Sequence, residues 1–79
     1  MKRILVMHGV NLNMFGKRDP NHYGTETLED INKKISMLAE TLGVEVTFFQ
    51  SNHEGDFVEK IQEVHGDGTD GIIINAGAW

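Results

Sequence analysis

The hydrophobic positions fall into five groups whose spacing alternates between two periods. Ile4-Leu5-Val6-Met7 is a continuous apolar run ending near Gly9, the pattern of a strand buried on both faces. Leu28, Ile31, Ile35, Leu38 and Leu42 recur at helical spacing. Thr27 stands before them as a cap with Asp30 three residues on, and Gly43 follows where a left-handed terminator belongs, so a helix over 28–42 is predicted. Val44, Val46 and Phe48 alternate with Glu45 and Thr47, which predicts a strand over 44–50 with one partly wet face, near a sheet edge. Phe57, Val58, Ile61 and Val64 return to helical spacing; Ser51 with Glu54 reads as a second capping box, and Gly66 closes a helix of about 54–65. Ile72-Ile73-Ile74 is a third strand, entirely apolar and therefore expected to be central.

The order βαβαβ predicts an α/β fold with parallel strands, right-handed crossovers and helices on both faces. No internal repeat or linker interrupts it, so residues 1–79 form one unit. Doubly wound domains ordinarily carry five or six strands. The expectation is therefore a domain truncated after its third strand, or one that depends on a partner.

Charge and composition narrow the function classes. The formal net charge of −5 argues against a general nucleic-acid or anionic-membrane surface. An anionic small molecule would need a local cation, which Lys17-Arg18 supplies. There is no cysteine, hence no thiolate metal site. No apolar run approaches a membrane span, and the N-terminal run is too short for a secretion signal, so a cytoplasmic protein is expected.

The candidate chemistry lies at strand ends. In open parallel sheets ligands bind beyond the carboxyl ends of the strands, where the strand order reverses. If the first strand lies between the other two (order 2-1-3), the reversal brings His8-Gly9-Val10-Asn11 beside Asn75-Ala76-Gly77-Ala78. A long segment, about 12–25, would hang over that crevice as a lid carrying Arg18 and Tyr23. Carboxamides donate to and accept from hydroxyls and carboxylates, and a guanidinium clamps a carboxylate. Gly9, Gly16, Gly24 and Gly77 permit close approach of backbone and loop mobility. The same asparagines also make ordinary strand ends, and the pattern alone leaves both readings open. A phosphate-loop reading of Gly9 to Lys17 fails: six residues separate Gly9 from Gly16 where the motif needs four, and Arg18 occupies the magnesium-binding Ser/Thr position. His8, His22, His53 and His65 have no metal-ligand spacing. His8 reads as structural, His65 as a helix-end residue and His53 as lying near the first turn of its helix.

These residues carry a resemblance. The run from His8 through Asn11-Leu12-Asn13 and Gly16-Lys17-Arg18-Asp19-Pro20 to Tyr23-Gly24 resembles the opening of type II 3-dehydroquinate dehydratases. So do Thr27–Asn32, the segment Phe49-Gln50-Ser51-Asn52-His53-Glu54-Gly55, and Ile72–Ala78. The similarity runs in register along the whole chain; Val10 departs from it, standing where the family usually has Pro. The resemblance implies a flavodoxin-like fold and a homo-oligomer, a dodecamer built from trimers in the family. It also implies a hydro-lyase of the shikimate pathway that converts 3-dehydroquinate to 3-dehydroshikimate through an enolate, with no metal or organic cofactor. By the same resemblance Tyr23 is the base and Arg18 its activator, Asn11 holds the water that stabilises the enolate oxygen, and Asn75, with Ala76 and Gly77, binds substrate. The family's general-acid His, in a Glu-x-His-x-Ser-Asn stretch, and a substrate-binding Arg have no counterpart in this sequence, and Trp79 replaces the usual aromatic start of the segment after Ala78. Loss of the acid alone would slow such a reaction about 10²–10⁴-fold. The alternatives carried forward are an inactive fragment of that enzyme and a flavodoxin-like small-anion binding module.

Overall fold

The computed structural model describes residues 1–14 and 26–77. In chain order it contains β1 (Lys2–Val10), a 3-10 turn (Leu12–Met14), α1 (Leu28–Leu42), β2 (Val44–Gln50), α2 (Glu54–Glu63) and β3 (Gly71–Gly77). The three strands form one parallel sheet, as expected from the alternation of elements, in the order β2-β1-β3 that goes with the flavodoxin-like resemblance.

The two helices cover opposite faces. Ile4, Val6, Val44, Val46 and Ile73 share a hollow with Ile35, Leu38, Ala39 and Leu42 of α1. On the other face Leu5 and Met7 form a buried cluster with Phe57 of α2, backed by Phe49 and Val64. Period-two alternation along β1 explains this division: odd and even side chains leave the pleat on opposite sides. Phe49 and Phe57 meet edge to face at 5.9 Å, a geometry favoured by the ring quadrupoles.

Helix α1 begins and ends as its sequence dictates. Thr27 accepts from the Asp30 amide and the Asp30 carboxylate accepts from the Thr27 amide, closing the capping box. Gly43 ends the helix at φ 70, with its amide shared between the Ala39 and Glu40 carbonyls. These bonds to Thr27, backbone first and hydroxyl second, hold the Asp30 carboxyl below its ordinary range.

Three expectations change. Helix α2 stops at Glu63, before the reach of 65 read from its periodicity, and Gly66 (φ 78) lies in the turn beyond. Its N-cap is His53, without a side-chain cap bond, so Ser51 and Glu54 do not form a capping box. The Ser51 hydroxyl instead donates to Asp56 Oδ2 at 2.8 Å and accepts the His53 amide at 3.0 Å. Strand β3 is an edge of the described sheet and β1 is central. Ile72, Ile73 and Ile74 are correspondingly exposed, Ile73 to 59%. Their apolar run signals a preference for burial on both faces; it does not say which strand is central.

Candidate functional site at the carboxyl ends of β1 and β3

Strand β1 runs parallel to β3, with His8 beside Asn75 and Val10 beside Gly77. The two tips therefore leave the sheet side by side, at the point where the strand order reverses. Gly9 is required for this closeness, because a Cβ there would overlap the carbonyl of Ala76. Gly77 has φ 66, and its Cβ would lie 2.8 Å from the Val10 carbonyl oxygen. Both glycines let backbone approach backbone where any side chain would part the strands.

Beyond Val10 the chain turns through Asn11, the single described non-glycine residue with positive φ, at 65. Asparagine tolerates this left-handed conformation better than most residues. The Asn11 carbonyl accepts the Met14 amide at 3.0 Å and starts the 3-10 turn, whose Leu12 is buried. The Asn11 amide donates to Asn52 Oδ1 at 2.8 Å. Gln50 Nε2 donates both to that oxygen, at 3.1 Å, and to the Gly9 carbonyl, at 3.2 Å. The segment after β2 thus braces the turn after β1.

Asn75 lies two residues before Gly77, whose amide donates to Asn75 Oδ1 at 3.3 Å. Its register partner His8 is 4% exposed. His8 Nε2 hydrogen-bonds Asn32 Oδ1 of α1 at 2.8 Å, and the ring stacks near-parallel on Phe48 at 6.3 Å between centroids. His8 is a buried strut between sheet and helix, as its structural reading anticipated. Among the described residues two buried side-chain atoms lack a hydrogen-bond partner, His8 Nδ1 and Asn13 Oδ1. Both belong to this end of the molecule.

The structure thus brings Asn11, Asn75, Ala76 and Gly77 to one rim. Arg18, Tyr23 and His22, and most of the 12–25 lid segment, lie outside the described residues. The residue-level reading missed Gln50, Asn52 and Asn32. A signal for the first two existed: Gln50 ends the strand adjacent to β1 and Asn52 follows it, so both emerge at the same end of a parallel sheet.

Comparison with known proteins agrees with this architecture. The family model "Dehydroquinase class II" matches residues 2–79. A 3-dehydroquinate dehydratase of Pelobacter propionicus is 57% identical over 79 residues, covering 100% of this chain and 53% of that protein. Another from Syntrophotalea carbinolica shows the same identity and coverage. The crystal structure of type II dehydroquinase from Butyrivibrio crossotus superposes with a TM-score of 0.89 at 47% identity, covering 98% of this chain and 53% of that one. The chain spans about half the length of the curated relatives it matches. With a family model matching residues 2–79, relatives 57% identical over the whole chain and a solved structure superposing at a TM-score of 0.89, the chain belongs to the class II dehydroquinase family.

Proposed function

We propose that the rim formed by Asn11 and Asn75 is part of a site for dehydration of 3-dehydroquinate to 3-dehydroshikimate, a step of the shikimate pathway. The observation that carries this reading is the side-by-side departure of the β1 and β3 tips, His8 beside Asn75 and Val10 beside Gly77, in a chain of this family. A polyhydroxylated cyclic acid presents hydroxyls and a carboxylate, and two carboxamides with neighbouring backbone amides match those groups.

In this reading Tyr23 takes the proton alpha to the ketone as tyrosinate. An unperturbed phenol is only about 0.1% ionised at pH 7, and a guanidinium such as Arg18 beside it raises that fraction. The electron pair left behind spreads onto the ketone oxygen as an enolate, which a water held by Asn11 stabilises. Collapse of the enolate breaks the C1–O bond, and the departing hydroxyl takes up a proton from solvent water to leave as water, the family's general-acid His having no counterpart in this sequence. Asn75, with Ala76 and Gly77, holds the substrate hydroxyls. Segment 12–25 acts as a lid that brings Arg18 and Tyr23 to bound substrate. The chemistry consists of proton transfers and cleavage of one C–O bond, with no net change of oxidation state. In this reading the protein works in the cytoplasm as a homo-oligomer, a dodecamer built from trimers, on the shikimate pathway to aromatic amino acids.

The test is direct: 3-dehydroshikimate is a conjugated enone and absorbs where 3-dehydroquinate does not. Growth of enone absorbance on adding 3-dehydroquinate to purified protein, lost in Tyr23→Phe, is the expected result. A folded protein, by circular dichroism, that produces no enone and shows no shift in the Asn11 or Asn75 side-chain amide resonances would overturn the proposal. Resonance shifts without turnover would favour the small-anion binding module.

A further inference from the structure

We infer that Asn52, held in place by Gln50, is a positioning residue that sets the turn at Asn11 for the enolate-stabilising role proposed above; the inference rests on that proposed function. The argument begins with the backbone. At φ 65 Asn11 has left the sheet, so its amide can no longer enter the strand ladder and must find an acceptor elsewhere. It finds Asn52 Oδ1 at 2.8 Å, across a sequence separation of 41 residues. Asparagine tolerates the left-handed region, and the Asn52 bond fixes where the turn points within it.

The same acceptor oxygen is itself located. Gln50 Nε2 lies 3.1 Å from it and 3.2 Å from the Gly9 carbonyl, bridging the β2–α2 segment to the last residues of β1. The backbone follows the same path, the Ser51 amide donating to the His8 carbonyl at 3.2 Å. One neutral carboxamide thus accepts from Asn11 and from Gln50 at once. An apolar side chain of equal size fills the space and accepts neither bond. A carboxylate accepts both. This chemistry separates positioning from bulk.

Three proteins are compared: the unsubstituted chain, Asn52→Leu and Asn52→Asp. Steady-state dehydration of 3-dehydroquinate is measured together with hydrogen exchange at the Asn11 amide. Asn52→Leu is expected to lower kcat about tenfold, with KM little changed, because the misaimed group acts on the enolate rather than on ground-state binding. Asn52→Asp is expected to restore kcat, with a higher KM from the added negative charge near an anionic substrate. Exchange at the Asn11 amide is expected to quicken about tenfold in Asn52→Leu and to return to the parent rate in Asn52→Asp. Unchanged kcat in Asn52→Leu, or an Asn52→Asp variant as slow as Asn52→Leu, would overturn the inference. An Asn11 exchange rate indifferent to both substitutions would overturn it too, and this readout needs no turnover. Absence of dehydration in the unsubstituted protein would count against the proposed function, leaving the exchange comparison to decide whether Asn52 sets the turn.

Discussion

The two ends of the sheet are built from different chemistry. At the amino ends of the strands charged groups tie β1 to the turn before β3. The Arg3 amide donates to Asp70 Oδ2 at 2.8 Å and the Asp70 amide returns a bond to the Arg3 carbonyl at 2.8 Å. The Arg3 guanidinium donates to the Asp67 carbonyl at 3.0 Å and lies 3.8 Å from Glu45. At the carboxyl ends the groups bracing Asn11 are the neutral carboxamides Asn52 and Gln50, and the strands approach through glycine. The contrast separates two jobs. Ion pairs and charged caps tolerate solvent and small displacements, which suits a scaffold end open to solvent. Neutral donors and acceptors on close-packed backbone hold geometry without adding negative charge, which suits the acid-binding rim proposed above.

If that contrast is right, substitutions at the two ends should differ in kind. The largest effect is expected from Gly9→Ala, whose methyl would overlap the Ala76 carbonyl and force β1 and β3 apart. A loss of about 3 kcal/mol is expected, the upper range for overpacking, read as a lowered midpoint in urea and loss of ligand-induced amide shifts at Asn75. Asp70→Ala at the opposite end removes one side-chain acceptor from the Arg3 amide, while the backbone bond from Asp70 to Arg3 survives. About 1 kcal/mol of stability should go, with substrate affinity unaltered. A change in affinity as large as the change in stability would show that the ends are not separate.

The smallest expected effect is a pH dependence at the scaffold end. The side-chain and backbone bonds from Thr69 hold the Asp67 carboxyl below its ordinary range. A depressed carboxyl stabilises the fold above its unfolded value, and that contribution fades as pH falls through the lower folded value. Thermal midpoints measured from pH 6 down to pH 2 should therefore fall slightly less in Asp67→Asn than in the parent. The carboxyl is solvent-exposed, so the difference is small. Equal falls would mean that Thr69 contributes no preference for the charged form.

Features set by neighbours in sequence were legible before any coordinates. The Thr27–Asp30 box, the Gly43 terminator and the span of α1 depend on contacts within a turn, and all three occur as the residues indicate. Parallel strands followed from the βαβαβ alternation; the order 2-1-3 entered as a condition that the family resemblance supported, and with it Asn11 and Asn75 fall at one rim. Ser51 misled because a capping box requires knowing which residue is the cap; His53 takes that place, and the Ser51 hydroxyl turns to Asp56. The triple isoleucine of β3 showed how apolar its two faces are, not where the strand sits. The parallel topology could have put Asn52 and Gln50 at the rim, but not as braces, because the groups they hold, the Asn11 amide and the Gly9 carbonyl, lie 41 residues away in sequence.

The most direct measurement is a crystal structure of the protein with 3-dehydroshikimate bound. The ring should lie over the tips of β1 and β3, with the Asn75 carboxamide within about 3 Å of a ring hydroxyl and Asn11 reaching the ketone oxygen directly or through one water. A ligand seated elsewhere, for example in the hollow beneath α1, or one touching neither carboxamide, would contradict the account.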